Sequence, residues 1–181
     1  GTISGRADAG PNPNVDGDGV DIDYFANITN YGLIEATGAR GVGNDGLPNS
    51  SQGVSIGGGT VLNKAGATIR GQADGILVDN SSQGPAFGPT TIDNAGTIEG
   101  GITGIWTAGG GSSVVNNGTI SGGTGPAIQF DGNGNTLTLG TGSIINGNVV
   151  ASGTGTAFQL AGTGSASFHA SKLGPTAHYH V

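Results

Sequence analysis

Apolar residues in this chain come in short runs, where they alternate with polar neighbours and stop at Gly or Asn. Alternation of period two sends successive side chains to opposite faces of a strand. The pattern predicts many short β-strands joined by tight turns. It predicts no helix, because no apolar stripe at helical spacing occurs. The runs also recur in a fixed order. The clearest copies are Thr91-Ile92-Asp93-Asn94-Ala95-Gly96-Thr97-Ile98-Glu99-Gly100 and Ser113-Val114-Val115-Asn116-Asn117-Gly118-Thr119-Ile120-Ser121-Gly122. Earlier copies are Thr60-Val61-Leu62-Asn63 leading into Thr68-Ile69-Arg70-Gly71, and Ile28-Thr29-Asn30-Tyr31-Gly32-Leu33-Ile34-Glu35. A truncated copy, Gly1-Thr2-Ile3-Ser4-Gly5, opens the chain, and a degenerate one runs from Thr136-Leu137-Thr138-Leu139 into Ile144-Ile145-Asn146-Gly147.

A third short apolar element accompanies each copy: Val20-Asp21-Ile22, Val54-Ser55-Ile56, Ile76-Leu77-Val78, Ile105-Trp106-Thr107, Ile128-Gln129-Phe130 and Phe158-Gln159-Leu160. The unit is three strands separated by Gly or Asn turns, returning every 22 to about 35 residues. Three short strands with their turns need roughly 22; the excess is read as insertions at residues 37–52 and 79–89. A sandwich of antiparallel hairpins would also show short strands and turns, but it gives no reason for one three-part order to return. The expected fold is all-β: a right-handed parallel β-helix, a solenoid of about five to six coils with three short strands each, spanning residues 1–165.

Stacking such coils roughly 4.8 Å apart fixes which way side chains point. Ile69, Ile98 and Ile120 should point inward on one sheet, and Ile76, Ile105 and Ile128 on another. Asn30, Asn63, Asn94 and Asn116 fall at one equivalent corner. An Asn there tolerates a left-handed backbone and can pass amide hydrogen bonds from coil to coil; the column ends at Leu139. Glu35, Arg70 and Glu99 share an outward position, where an alternating-charge ladder is expected. A slip of one residue would turn those charges into the core, so they also guard the register.

Composition narrows the function. Forty of 181 residues are Gly, against about 7% on average, which suits many turns and disfavours helix. With seven Pro and no glycine at every third position, the chain is not collagen-like; with 34% hydrophobic and 9% charged residues, it is not a charged disordered tail either. The formal net charge of −7, with five basic residues, argues against nucleic acid and anionic membranes. No apolar run approaches the roughly eighteen residues of a spanning helix. The absence of cysteine excludes disulfides and thiolate metal sites, and is compatible with export through a narrow pore. Beginning at Gly1 without an initiator Met or signal peptide, the sequence is expected to be a mature product or an excised piece of something longer.

The motif Asn-x-Gly-Thr-Ile-x-Gly, seen at Asn94–Gly100 and Asn116–Gly122, and the following element Gly-Ile-x-Val, seen as Gly75-Ile76-Leu77-Val78 after the Thr68-Ile69-Arg70-Gly71 copy, resemble the passenger repeats of bacterial autotransporters. So do Gly17-Asp18-Gly19-Val20-Asp21-Ile22-Asp23 and the closing run from Ala166-Ser167-Phe168 through Ser171-Lys172-Leu173-Gly174-Pro175-Thr176-Ala177-His178-Tyr179. The resemblance covers Gly1 to about Leu160 and the closing run. It implies a passenger exported through a C-terminal outer-membrane β-barrel and then displayed at the bacterial surface or released. It also implies that residues 166–181 begin the link to further passenger strands. It implies no single activity, since such passengers include adhesins, aggregation factors, proteases and esterases.

Several constellations carry candidate chemistry. Asn14-x-Asp16-x-Asp18-Gly19, with Asp21 and Asp23 beyond it, matches the first half of a calcium loop. Alternating hard oxygen ligands before a Gly turn are what calcium needs, but the twelfth position is Phe25 rather than a bidentate Glu. Asp16, Asp18, Asp21 and Asp23 are therefore read either as calcium ligands or as a solvated acidic turn. Asp79 and Asp131 each follow a third strand, two coils apart, at an expected spacing of roughly 10 Å near that of an inverting glycosidase pair; ordinary turn chemistry explains them as well. Gly109-Gly110-Gly111 has no following Gly-Lys-Ser/Thr and so makes no phosphate loop. His178-x-His180 lacks partners, and no Ser–His–Asp arrangement is available. Only Thr136-Leu137-Thr138 approximates the Thr-x-Thr arrays of ice binding.

Trp106, the only tryptophan, should lie on the outer face between Leu77 and Gln129. There it can stack on a sugar or anchor a partner, unless the insertion carrying Pro85 and Phe87 folds over it. The reading is thus a non-enzymatic, secreted or surface-displayed scaffold, adhesive towards a host protein or glycan or towards a second passenger. The alternative is the β-helix portion of a surface polysaccharide-degrading enzyme.

Overall fold

The computed structural model describes residues 1–7, 14–43, 46, 48–80 and 84–163, and the backbone of 178–179. Strands are numbered β1 to β17 along the chain. One sheet has six strands in the order β1 (Thr2–Arg6), β3 (Leu33–Thr37), β5 (Thr68–Gly71), β8 (Thr97–Gly100), β11 (Thr119–Gly122) and β14 (Ile144–Asn146). The other runs from β15 (Val149–Ala151) through β12 (Ile128–Phe130), β9 (Thr103–Thr107) and β6 (Asp74–Val78) to β4 (Val54–Asn63). It continues through β7 (Thr90–Asn94), β10 (Ser113–Asn116), β13 (Thr136–Leu139) and β16 (Ala157–Leu160) to β17 (His178–Tyr179), with β2 (Val20–Asn30) paired on β4. All pairings between these strands are parallel. The antiparallel contacts among the described residues are two isolated bridges, Val15 with Arg40 and Val42 with Pro48. The result is an all-β fold of parallel strands in curled sheets, consistent with a β-helix-like solenoid.

Equivalent residues stand directly over one another. Ile34, Ile69, Ile98 and Ile120 form one buried column, Val54, Ile76, Ile105 and Ile128 a second, and Val61, Ile92, Val114 and Leu137 a third. These join in a single apolar core. Each fully buried side chain of this size is worth about 1.5–3 kcal/mol, and none is covered without the repeat above or below it. The glycine closing the Thr-Ile-x-Gly motif is required by close approach: a Cβ on Gly71, Gly100 or Gly122 would collide with the carbonyl of Asp74, Thr103 or Pro126 respectively.

Two sequence expectations are corrected. Val20–Ile22 and Ile28–Asn30, like Val54–Ile56 and Thr60–Asn63, were expected to be separate strands, but each pair is one continuous strand, β2 and β4. The bend is absorbed by Gly57-Gly58-Gly59, where Gly58 and Gly59 have φ of 151° and 112°, and by a register shift in β2 between Ile22 and Phe25. Phe158-Gln159-Leu160 is not a third element. It pairs in register with Leu137-Thr138-Leu139, and the third element is Val149–Ala151, stacked on Ile128–Phe130. Val149 and Ala151 bury the inner face there while Val150 points out. The run 166–181 lies outside the described residues except for the β17 backbone, which pairs with Ala157 and Phe158.

Candidate functional site

The Asn corner forms a continuous buried ladder. Asn30 Nδ2 donates to Asn63 Oδ1 at 2.9 Å, Asn63 Nδ2 to Asn94 Oδ1 at 2.8 Å, and Asn94 Nδ2 to Asn116 Oδ1 at 2.8 Å. Asn116 Nδ2 then donates to the Ile144 carbonyl, because Leu139 holds the next place in the column. A second buried polar column escaped the sequence reading. The Thr90 amide donates to Ser112 Oγ at 3.1 Å and the Ser112 amide to Asn135 Oδ1 at 2.9 Å. Its only signal was a polar residue just before each first strand, which also fits an ordinary turn.

Trp106 stands on the outer face of β9, in register between Leu77 of β6 and Gln129 of β12. Its indole N–H donates to Asp131 Oδ2 at 2.7 Å. Gln129 Nε2 donates to the same oxygen at 3.1 Å, and Ser152 Oγ to Asp131 Oδ1 at 2.8 Å. The ring is thus tethered at its N–H by Asp131, which Gln129 and Ser152 hold in turn. Phe87, expected near Trp106, packs instead on Tyr24, 5.0 Å between ring centroids. Asp79 is buried at the end of β6, its amide donating to the Ile56 carbonyl. Asp131 lies two strands along the same sheet, with its oxygens engaged as described.

The acidic turn does not present its carboxylates equally. Asp18 is drawn inward, where its Oδ1 accepts the Gln52 amide at 2.6 Å. Burial pushes its pKa up to about 7, against the lowering effect of that hydrogen bond and with a further push from Asp21, Asp16 and Asp74. Asp74, not singled out from sequence, is buried beside Gln52. Burial raises its pKa too, opposed by hydrogen bonds from Thr103 and Gln52. Asp21 and Asp23 lie on the exposed edge of β2, and Asp21 is also raised, first by burial and then by Asp23, Asp16 and Asp79. Asp16 lines a shallow hollow with Asn14, Val15, Val42, Gly43 and Asn49. Among the described residues, no group of three or more His, Cys, Asp or Glu is placed to hold a metal ion.

The grouping of three exposed aromatic rings also escaped the sequence reading. Tyr24 meets Phe25 edge-on at 4.9 Å and Phe87 at 5.0 Å, and the three are 59%, 48% and 51% exposed. On the six-stranded sheet, Glu35, Arg70 and Glu99 stand in register as expected. Arg70 Nη2 pairs with Glu35 Oε2 at 2.6 Å, and among the described residues it makes no ion pair with Glu99. That pairing and the Ser4 hydroxyl lower the Glu35 pKa. Compared with known proteins, the chain matches no family model, no curated protein and no solved structure.

Proposed function

We propose that the chain is a right-handed parallel β-helix of about five to six coils, acting as a non-enzymatic scaffold at a bacterial surface or after release from it. In this reading it is a passenger exported through a C-terminal β-barrel, and its outer face adheres to host glycans through Trp106, flanked by Leu77 and Gln129. The observation that carries the adhesive part is the tethered indole. With its N–H held by Asp131 at 2.7 Å, the ring is fixed on the outer face of a parallel sheet, and a pre-positioned aromatic loses little freedom on stacking against a sugar. The scaffold part is supported by the unbroken register of the three apolar columns, which gives a rigid body whose length grows with repeat number.

The rival reading, a polysaccharide-degrading enzyme using Asp79 and Asp131, draws less support. A general acid or base must reach the substrate proton, whereas both Asp131 oxygens already accept hydrogen bonds from the protein. A glycan array run beside a product-release assay on polyuronates separates the two. Adhesion predicts selective glycan retention that falls at least about tenfold in Trp106→Ala, with no release of shortened product. Release that disappears in Asp131→Asn would replace the scaffold reading with the enzymatic one.

A further inference from the structure

Trp106 belongs to a column of its own on the outer face. Ser55 of β4 stands in register with Leu77 of β6, Leu77 with Trp106 of β9, Trp106 with Gln129 of β12, and Gln129 with Val150 of β15. Each sits between two inward neighbours that are 5% exposed or less, from Val54 and Ile56 at one end to Val149 and Ala151 at the other. Alternation therefore puts all five on the outside, where each is at least partly exposed. The result is a strip that crosses five strands, with roughly 4.8 Å from one side chain to the next.

That spacing and that chemistry select a ligand. An extended β-1,4-linked pyranose chain advances by nearly the strand spacing with each sugar. It is a ribbon with C–H groups on its ring faces and hydroxyls along its edges. Its ring faces can lie on Leu77, Trp106 and Val150 while its edge hydroxyls reach Ser55 and Gln129. The Gln129 carboxamide is already oriented, since its Nε2 donates to Asp131 Oδ2 at 3.1 Å. Charge narrows the choice further. None of the five Lys and Arg lies on β4, β6, β9, β12 or β15. Asp131 holds the indole, and Asp21 is in register with Ser55 at the end of the strip. A uronate or sulfated chain would bring its anions beside these carboxylates with no cation on the strands to receive them.

We propose, resting on the reading of Trp106 as a glycan-stacking residue, that Ser55, Leu77, Trp106, Gln129 and Val150 form a linear binding strip for an uncharged, extended β-1,4-linked polysaccharide. The strip takes about five consecutive sugars, one for each strand it crosses.

The test titrates the whole chain by calorimetry with cellobiose, cellopentaose, chitobiose, chitopentaose, maltopentaose and pentagalacturonate. Cellopentaose or chitopentaose should bind at least about tenfold tighter than its disaccharide, because sugars beyond the one on the indole add contacts without a second loss of translational freedom. Maltopentaose, whose linkage curls it off the strip, and the anionic pentagalacturonate should each bind at least about tenfold more weakly than that pentasaccharide. Leu77→Ala and Val150→Ser should each weaken the pentasaccharide about threefold and leave the disaccharide unchanged, whereas Trp106→Ala loses both. Both changes lie on the outer face, and melting curves check that each variant is folded. Loss of all glycan binding would sink the adhesive reading and the strip together. Four results would overturn the strip alone while Trp106-dependent glycan binding survives. They are equal affinity for disaccharide and pentasaccharide, equal affinity for maltopentaose or pentagalacturonate, a pentasaccharide indifferent to both Leu77→Ala and Val150→Ser, or retention only of glycans outside the β-1,4 series.

Discussion

Asp18 sits where its charge is costly and its hydrogen bond is useful. Below its ordinary value of 3.8 the carboxyl is protonated in folded and unfolded chains alike. Between there and about 7 the unfolded chain releases the proton while the folded chain retains it, so this residue removes stability as pH rises and the loss is complete above about pH 7. Asp18→Asn keeps an oxygen for the Gln52 amide and deletes the charge. Melting curves should show the variant more stable than the parent at pH 8 and nearly equal at pH 4; an equal difference at both would mean the charge is not responsible. The Asn ladder behaves oppositely, because its groups are neutral and fully paired. Asn94→Ala leaves the Asn63 amide and Asn116 oxygen one partner short, at a cost of about 1–3 kcal/mol readable by urea unfolding. Arg70→Glu places like charges at three successive outward positions, and should lower the melting temperature slightly at low salt and less at high salt.

Within elements, short strands carry too little pattern to fix their own place. Val149-Val150-Ala151 is three residues long, and either face could be read as the apolar one. Its pairing with Ile128–Phe130 decides that Val149 is buried and Val150 is out. Val149→Asp therefore buries an unpaired charge, with an expected loss of several kcal/mol, while Val150→Asp stays within about 0.5 kcal/mol. The reverse order in a denaturant series would reinstate Phe158–Leu160 as the third element. Phe158 misleads because alternation records burial without recording which column a strand joins. The continuous strands β2 and β4 were hidden for a related reason. Glycine normally signals a turn, yet at Gly57–Gly59 it lets an extended chain bend beneath aromatic rings.

At the scale of the whole molecule, stability should be a sum over stacked neighbours, since no repeat buries its own inner face. Thr97 and Thr119 are register partners, and the Thr119 amide already bonds the Gly96 carbonyl. Deleting residues 97–118 removes one whole repeat and rejoins the chain in register. Circular dichroism should show a cooperative β-sheet melt at a lower temperature. Deleting 97–107 instead removes part of a repeat, mismatches every later column, and should prevent folding. Comparable melts from both deletions would show that the stacking register does not control stability.

The repeat alone makes much of this legible in the sequence. Identical short segments can satisfy alternate burial at a fixed interval only by stacking, and that placed Ile69 under Ile98 and Asn63 under Asn94. It also placed Trp106 between Leu77 and Gln129, and Glu35, Arg70 and Glu99 in a row. What stayed hidden involves residues outside the repeat, or partners distant in sequence with no shared period. Asp74 became notable only when burial and the Gln52 side chain met it. Asp131 proved to be a tether for the indole because Ser152 and Gln129 arrived beside it. Tyr24 and Phe87, 63 positions apart, form a surface only because an insertion closes over the bend in β4. Periodicity specifies which residues stack; contacts made by insertions and corners depend on the path of the chain between stacks, which only the tertiary structure decides.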